Sequence, residues 1–191
     1  TLTQGHCSAD ELEWLWSVLA EGWTAMKTGS GWTNDAAVYA LRGYVRATEL
    51  VHSESNGWHV HYHVAFLLDD PLSEDAVARF RLSTAKRFIR GVESAGGYAH
   101  LNRQELAPAR EGPQGLSDYL LKGTRISTSH PGLSRYPMAI LRDLKTRTED
   151  FNLDPHEAGR DFDLWQEFDK AVRSKKRIRL VRSDGLKEML V

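Results

Sequence analysis

The sequence predicts an α+β fold in which helices flank a central antiparallel β-sheet. Strand-like and helix-like segments alternate along the 191 residues, and two neighbouring segments rich in β-branched and aromatic residues predict a central hairpin. This length suits one main domain. We assign residues 1–150 to that domain and residues 151–191 to a C-terminal helix and basic strand that pack on it or extend it.

The first elements are a strand end and a helix. Residues 1–3 predict the end of a strand, so we expect the chain to be an excised or trimmed segment. Ser8 and Glu11 match a capping box, which predicts a helix that begins there. Apolar residues at helical spacing continue to Met26, and Gly29 is the predicted stop.

The hairpin strands are predicted at residues 43–52 and 57–68, with a polar turn between them. A long helix follows over residues 73–93, and a short strand is predicted over residues 98–105. The remaining predicted elements are helices over 113–122, 137–149 and 155–173, each of which begins with proline, and a basic strand over 176–183.

Composition excludes membrane-spanning and disulfide-stabilised proteins. Hydrophobic residues make up 41% of the chain, and no apolar run approaches the roughly 20 residues that a membrane span needs. The start of the sequence does not match a signal peptide. Cys7 is the only cysteine, which excludes an intramolecular disulfide and a thiolate zinc site and favours a reducing, cytoplasmic location.

Charge is unevenly distributed. The formal net charge is −1, yet residues 170–187 contain eight basic residues and one acidic residue. Such a stretch indicates either a nucleic-acid contact or a solvated helix face and tail.

Three histidines alternate along the second hairpin strand. Because side chains alternate between the two faces of a strand, His59, His61 and His63 project from one face. Imidazoles in a row pack poorly, but two neutral ring nitrogens at i and i+2 can bind one cation. The pattern therefore predicts a metal site, with a structural histidine as the alternative for any single position.

The third ligand is predicted on the preceding strand. The connection from Ser53 to Gly57 pairs His52 with Trp58, which sets Glu49 opposite His61 on the same face. Glu54, in the turn, is a weaker candidate.

Two histidines and one carboxylate suit Mg²⁺ or Mn²⁺ acting as a Lewis acid toward phosphate oxygens, and they also suit Fe(II). The alternative for Glu49 is a surface carboxylate paired with Arg46.

A short predicted helix contains Tyr119 and Lys122, which share a face at i and i+3. Tyrosine becomes a nucleophile only when a cation or metal stabilises its phenolate, and Lys122 could supply that charge or stabilise a phosphate. The alternative is that Tyr119 is an apolar-face residue of an amphipathic helix.

Together these motifs resemble the HUH endonuclease superfamily, and within it the rolling-circle replication initiator (Rep) proteins of bacterial, especially actinobacterial, plasmids. His61-Tyr62-His63 matches the HUH signature, and Tyr119-Leu120-Leu121-Lys122 matches the Tyr-x-x-Lys motif. Further similar segments are Thr1-Leu2-Thr3 followed by His6, Arg46-Ala47-Thr48-Glu49, Leu164-Trp165-Gln166-Glu167-Phe168 and Ser174-Lys175-Lys176-Arg177.

The resemblance implies an RRM-like sheet and a site-specific single-strand DNA endonuclease and strand transferase. Tyr119 would attack a phosphodiester of origin DNA, with a divalent metal at Glu49, His61 and His63 polarising the phosphate. A 5′-phosphotyrosyl intermediate and a free 3′-hydroxyl that primes a polymerase would result. A host helicase is the implied partner, because the chain has no P-loop signature.

The chain departs from the family at several positions. Gly115 stands where some relatives have a glutamate that activates water; Asp118 could replace it but adjoins the tyrosine at a helical offset of about 100°. Gly123 excludes a second tyrosine one turn after the first. His59 is assigned to line the site, contact DNA or bond a ligand.

Charge and position indicate DNA contacts at Arg125, Lys175, Lys176 and Arg177. Two other functions remain open: an origin-binding module that does not cleave, and a metal-dependent oxygenase or hydrolase that does not act on DNA.

Overall fold

The computed structural model describes residues 1–108, 134–149, 155–174 and 180–183 as an antiparallel sheet with helices packed against it. The described elements are β1 (Leu2–Thr3), α1 (Leu12–Met26), α2 (Gly29–Val38), β2 (Leu41–Ser53), β3 (Gly57–Leu68), α3 (Glu74–Ser94), a 3₁₀ turn (Leu101–Arg103), α4 (Pro137–Glu149), α5 (Pro155–Ser174) and β4 (Leu180–Arg182). The strands of these ranges lie in the order β1-β3-β2-β4. The predicted α+β class is confirmed.

The β2–β3 hairpin has the predicted register. His52 lies opposite Trp58 and Glu49 lies opposite His61. The chain turns back at Gly57, whose φ of 69° is in the left-handed region, and a Cβ there would come within 2.9 Å of the Ser8 backbone. Glycine at this position therefore allows both the turn and the close approach of the N-terminal loop.

The two faces of β3 differ in what they contact. Val60, Tyr62 and Val64 belong to the hydrophobic core together with the apolar stripe of α1. Trp23 of α1 meets the Tyr62 ring edge-on, with centroids 6.0 Å apart, and the Arg46 guanidinium lies over the Tyr62 ring at 4.1 Å. The histidines project from the opposite face, so the core holds their strand in place without enclosing them.

The predicted capping box at Ser8 is wrong, because α1 begins four residues later, at Leu12. The Cys7 N–H donates to the Asp10 carboxylate at 2.7 Å, which makes a turn of the segment that was expected to be helical. The Leu12 N–H donates instead to the Glu167 carboxylate of α5 at 2.7 Å. A distant side chain thus supplies the acceptor that the local pattern predicted at Ser8.

Gly29 was predicted to end α1, but α1 ends at Met26 and a second helix, α2, begins at Gly29. Its sequence shows little amphipathic pattern, since Asp35 is its one buried residue. That carboxylate pairs with Arg87 of α3 at 2.6 Å, and Trp32 of the same helix packs against Phe66 at the edge of the core. A buried ion pair and one aromatic contact therefore attach α2.

The long helix α3 agrees with its prediction, and the Ser73 hydroxyl caps it by accepting from the Ala76 N–H at 3.3 Å. The strand predicted over residues 98–105 is wrong, since that range contains the 3₁₀ turn. Gln104 explains the difference: its side chain accepts from the Thr3 N–H at 3.0 Å and donates to the Thr3 carbonyl at 2.9 Å. The segment therefore contacts β1 through a side-chain amide, and backbone hydrogen bonds flank that contact between Glu105 and Thr1 and between Gly5 and Tyr98.

The C-terminal helices begin and end within one residue of their predicted bounds. Helix α5 packs on α1, α4 packs on α5, and β4 pairs with β2 as an edge strand. The predicted helix over 113–122 and residues 176–179 of the predicted basic strand lie outside the described residues. Among the helices of the described ranges, none is long and apolar enough to cross a membrane.

Candidate metal centre

Glu49, His61 and His63 meet on the face of the sheet opposite the core. Strand β3 presents the two imidazoles from alternate positions, and β2 presents the carboxylate through the Glu49–His61 pairing. Glu49 Oε2 lies 2.5 Å from His61 Nε2 and 2.6 Å from His63 Nε2, and the two nitrogens lie 3.0 Å apart. Three donor atoms therefore converge on one point.

The cluster is largely shielded from solvent. The side chains of His61, His63 and Glu49 retain 12%, 8% and 11% exposure. Imidazole nitrogen and carboxylate oxygen are ligands that divalent first-row metals and Mg²⁺ accept, so this cluster could hold a metal ion.

The electrostatics keep the carboxylate ionised. Burial alone would raise the pKa of Glu49, but hydrogen bonds from the two cluster histidines, the charge of His61 and the Tyr136 hydroxyl outweigh burial and hold that pKa well below its usual range. The cluster thus offers one negative charge to a cation at neutral pH.

The alternatives for Glu49 do not match the geometry. The Arg46 guanidinium, which was the alternative partner, lies over the rings of Trp23 and Tyr62 on the core side of the sheet. Glu54, the weaker candidate ligand, is exposed in the hairpin turn.

His59 continues the row of imidazoles beyond the cluster. Its Nε2 lies 3.1 Å from the Thr3 hydroxyl of β1. Its ring stacks on His6 at 4.8 Å and contacts His61 at the same centroid distance. Burial, followed by the neighbouring His61 and His6, lowers the pKa of His59 to about 4, while Glu49 has a weaker opposite effect. His59 is therefore neutral at pH 7.

Protonation of His59 should lower the free energy of unfolding at acidic pH. Its pKa falls from 6.5 to about 4 on folding, so the unfolded chain binds the proton first and stability declines as pH drops from 6.5 to 4. At about 1.36 kcal/mol per pKa unit, the free energy of unfolding falls by at most about 3 kcal/mol, and solvent near the ring makes the decrease smaller.

Urea unfolding of wild type and His59→Gln in EDTA at several pH values measures this decrease. The decline should be shallower in His59→Gln, whereas the exposed-site control His100→Gln should match wild type; equal slopes in all three would contradict the assignment.

Tyr136 is a site residue that the sequence analysis missed. Its hydroxyl donates to Glu49 Oε1 at 2.8 Å, although the two residues are 87 positions apart. Tyr136 immediately precedes the predicted helix at Pro137, and no spacing or motif in the sequence relates it to the hairpin.

The other predicted site residues lie outside the described residues. They are Tyr119, Lys122, Asp118, Arg125, Lys175, Lys176 and Arg177, together with Gly115. Their assignments stay predictions from the sequence.

Comparison with known proteins does not assign the chain to a family. No protein-family model, no curated protein and no solved structure matches the chain.

Proposed function

We propose that the chain is a metal-dependent endonuclease that nicks single-stranded origin DNA and rejoins strands, as an initiator of rolling-circle replication. The observation that carries this proposal is the buried cluster of Glu49, His61 and His63 on adjacent strands. The Tyr-x-x-Lys pattern at Tyr119 and Lys122 supports it from the sequence.

The reaction assigned to the chain is a phosphoryl transfer. The Tyr119 hydroxyl oxygen forms a bond to the scissile phosphorus, the bond from phosphorus to the 3′-oxygen breaks, and the phenolic proton ends on that 3′-oxygen. The products are a 5′-phosphotyrosyl enzyme and a free 3′-hydroxyl. Reversal rejoins the strand without a nucleotide, because the covalent bond retains the energy of the broken one.

Glu49, His61 and His63 would hold a divalent cation, and Mg²⁺ or Mn²⁺ fits the donor set. Such an ion acts as a Lewis acid toward a phosphate oxygen when bound. Lys122 is assigned to stabilise the charge on the phosphate or on the phenolate.

DNA contacts are assigned to Arg125, Lys175, Lys176 and Arg177 on the basis of charge, with a bacterial cytoplasm as the location and a host helicase and polymerase as partners. Charge reversal of the last three should flatten the salt dependence of oligonucleotide binding.

The test is a covalent adduct between protein and DNA. Single-stranded oligonucleotides from the cognate replicon are incubated with Mn²⁺ and with wild type, Tyr119→Phe or Tyr39→Phe, and resolved on a denaturing gel. Wild type and Tyr39→Phe should yield a protein-linked band, because Tyr39 packs on Phe80 away from the cluster. Tyr119→Phe and EDTA samples should lack it.

Two results would contradict the proposal. Binding without an adduct would indicate a recognition module, and an adduct that persists in Tyr119→Phe would place the nucleophile elsewhere.

A further inference from the structure

The two oxygens of the Glu49 carboxylate have different partners. Oε2 faces both cluster histidines, at 2.5 Å from His61 Nε2 and 2.6 Å from His63 Nε2. Oε1 accepts a hydrogen bond from the Tyr136 hydroxyl at 2.8 Å. A carboxylate held at both oxygens cannot rotate without breaking one set of contacts, so its orientation is defined by Tyr136 as well as by the histidines.

The backbone that carries Tyr136 is itself anchored. Arg135 exchanges two backbone hydrogen bonds with His52 of β2, at 2.9 and 2.7 Å. Its guanidinium also lies 2.7 Å from the carboxylate of Asp161, which is only 1% exposed. The Tyr136 hydroxyl is therefore presented from a segment fixed to both β2 and α5.

The number of coordination positions that a carboxylate fills on a cation depends on whether one or both of its oxygens bind. A carboxylate bound through one oxygen fills one position, and one bound through both fills two. A cation that acts as a Lewis acid needs a position for the phosphate oxygen. A hydrogen bond that engages one oxygen disfavours binding through both.

We propose that Tyr136 is a positioning residue that restricts Glu49 to binding the metal through Oε2 alone and so keeps a coordination position open for substrate. This inference rests on the proposed metal site. Tyr136 acts through Glu49 and need not touch the DNA.

The test uses Co²⁺, whose visible absorption reports coordination number, with wild type, Tyr136→Phe and the control Tyr39→Phe. Tyr39→Phe also removes one phenolic hydroxyl, but on a ring that packs against Phe80. Absorptivity should fall in Tyr136→Phe, because freeing Oε1 raises the coordination number, and it should be unchanged in Tyr39→Phe. Cleavage by metal-saturated Tyr136→Phe should fall about 10- to 100-fold, the range found when partners of metal ligands are removed.

A second measurement needs no tyrosine variant, should Tyr136→Phe fail to fold. The infrared difference spectrum between Co²⁺-loaded and metal-free wild type reports the splitting of the carboxylate stretches, which is wide for binding through one oxygen and narrow for binding through both. The band is assigned to Glu49 by its absence in Glu49→Gln. The inference expects the wide splitting.

The outcomes separate this inference from the proposed function. If wild type binds no Co²⁺, the metal site and the role of Tyr136 are both overturned. If wild type binds Co²⁺ but shows the narrow splitting, or if folded Tyr136→Phe has the wild-type spectrum, only the role of Tyr136 is overturned and the metal site stands.

Discussion

Mn²⁺ affinity should fall at least about 100-fold in His61→Ala and in His63→Ala, because each variant removes one of three convergent donor atoms. A bound metal supplies several kcal/mol of transition-state stabilisation, and each 1.36 kcal/mol is a factor of ten in rate. If the chain cleaves DNA as proposed, cleavage should fall by a factor on the order of 10³ in both variants.

Alanine at a buried position leaves a cavity, so a second variant that fills the space of the imidazole is needed. His63 is buried, and alanine there leaves Glu49 with fewer hydrogen-bond donors. His63→Phe keeps a ring of similar size and has no nitrogen or oxygen that can bind a metal, so it should lose metal binding without leaving a cavity.

Isothermal titration with Mn²⁺ measures the affinity, and thermal unfolding in EDTA measures the metal-free fold. His100→Ala removes an exposed imidazole away from the cluster and should match wild type in both. Wild-type Mn²⁺ affinity in a folded His61→Ala or His63→Phe protein would show that the cluster does not hold the metal.

Asp161→Ala should destabilise the protein by about 3 kcal/mol, because it removes the buried acceptor between two arginines. Asp161 lies 2.7 Å from Arg135 and 3.3 Å from Arg147 and is 1% exposed, whereas the arginines retain 22% and 26%. Their partial exposure lets solvent compensate in part, which places the effect at the low end for a broken buried pair.

The melting temperature reports this change, with about 6–12 °C expected for a chain of this size. Asp163→Ala is the matched control, because Asp163 is an exposed aspartate of the same helix and should change stability by less than about 0.5 kcal/mol. Equal melting temperatures for the two variants would contradict the role assigned to Asp161.

The hairpin that carries the cluster is determined by local sequence. Alternation along a strand places His61 and His63 on one face, and the connection from Ser53 to Gly57 pairs Glu49 with His61. Both follow from backbone geometry over a few residues, so they could be predicted without knowing what packs around the hairpin. The bounds of α3, α4 and α5 could be predicted for the same reason, since proline or a serine cap marks each start.

Local rules failed where a distant side chain replaced a local partner. Glu167 accepts from the Leu12 N–H across 155 positions, so α1 begins there and not at Ser8. The Gln104 side chain pairs with both backbone groups of Thr3, and the strand predicted over residues 98–105 does not form. In each case a side chain brought in by packing satisfied backbone groups, and local rules contain no information about that partner.

The sequence by itself determined the composition of the cluster and the strand register that assembles it. Only the tertiary structure decided how the Glu49 carboxylate is oriented, because Tyr136 reaches it from 87 positions away on a segment held by β2 and α5. Periodicity specifies which side chains of one element share a face. It contains no information about which element will be packed against that face, and that packing determines the partner of Glu49 Oε1.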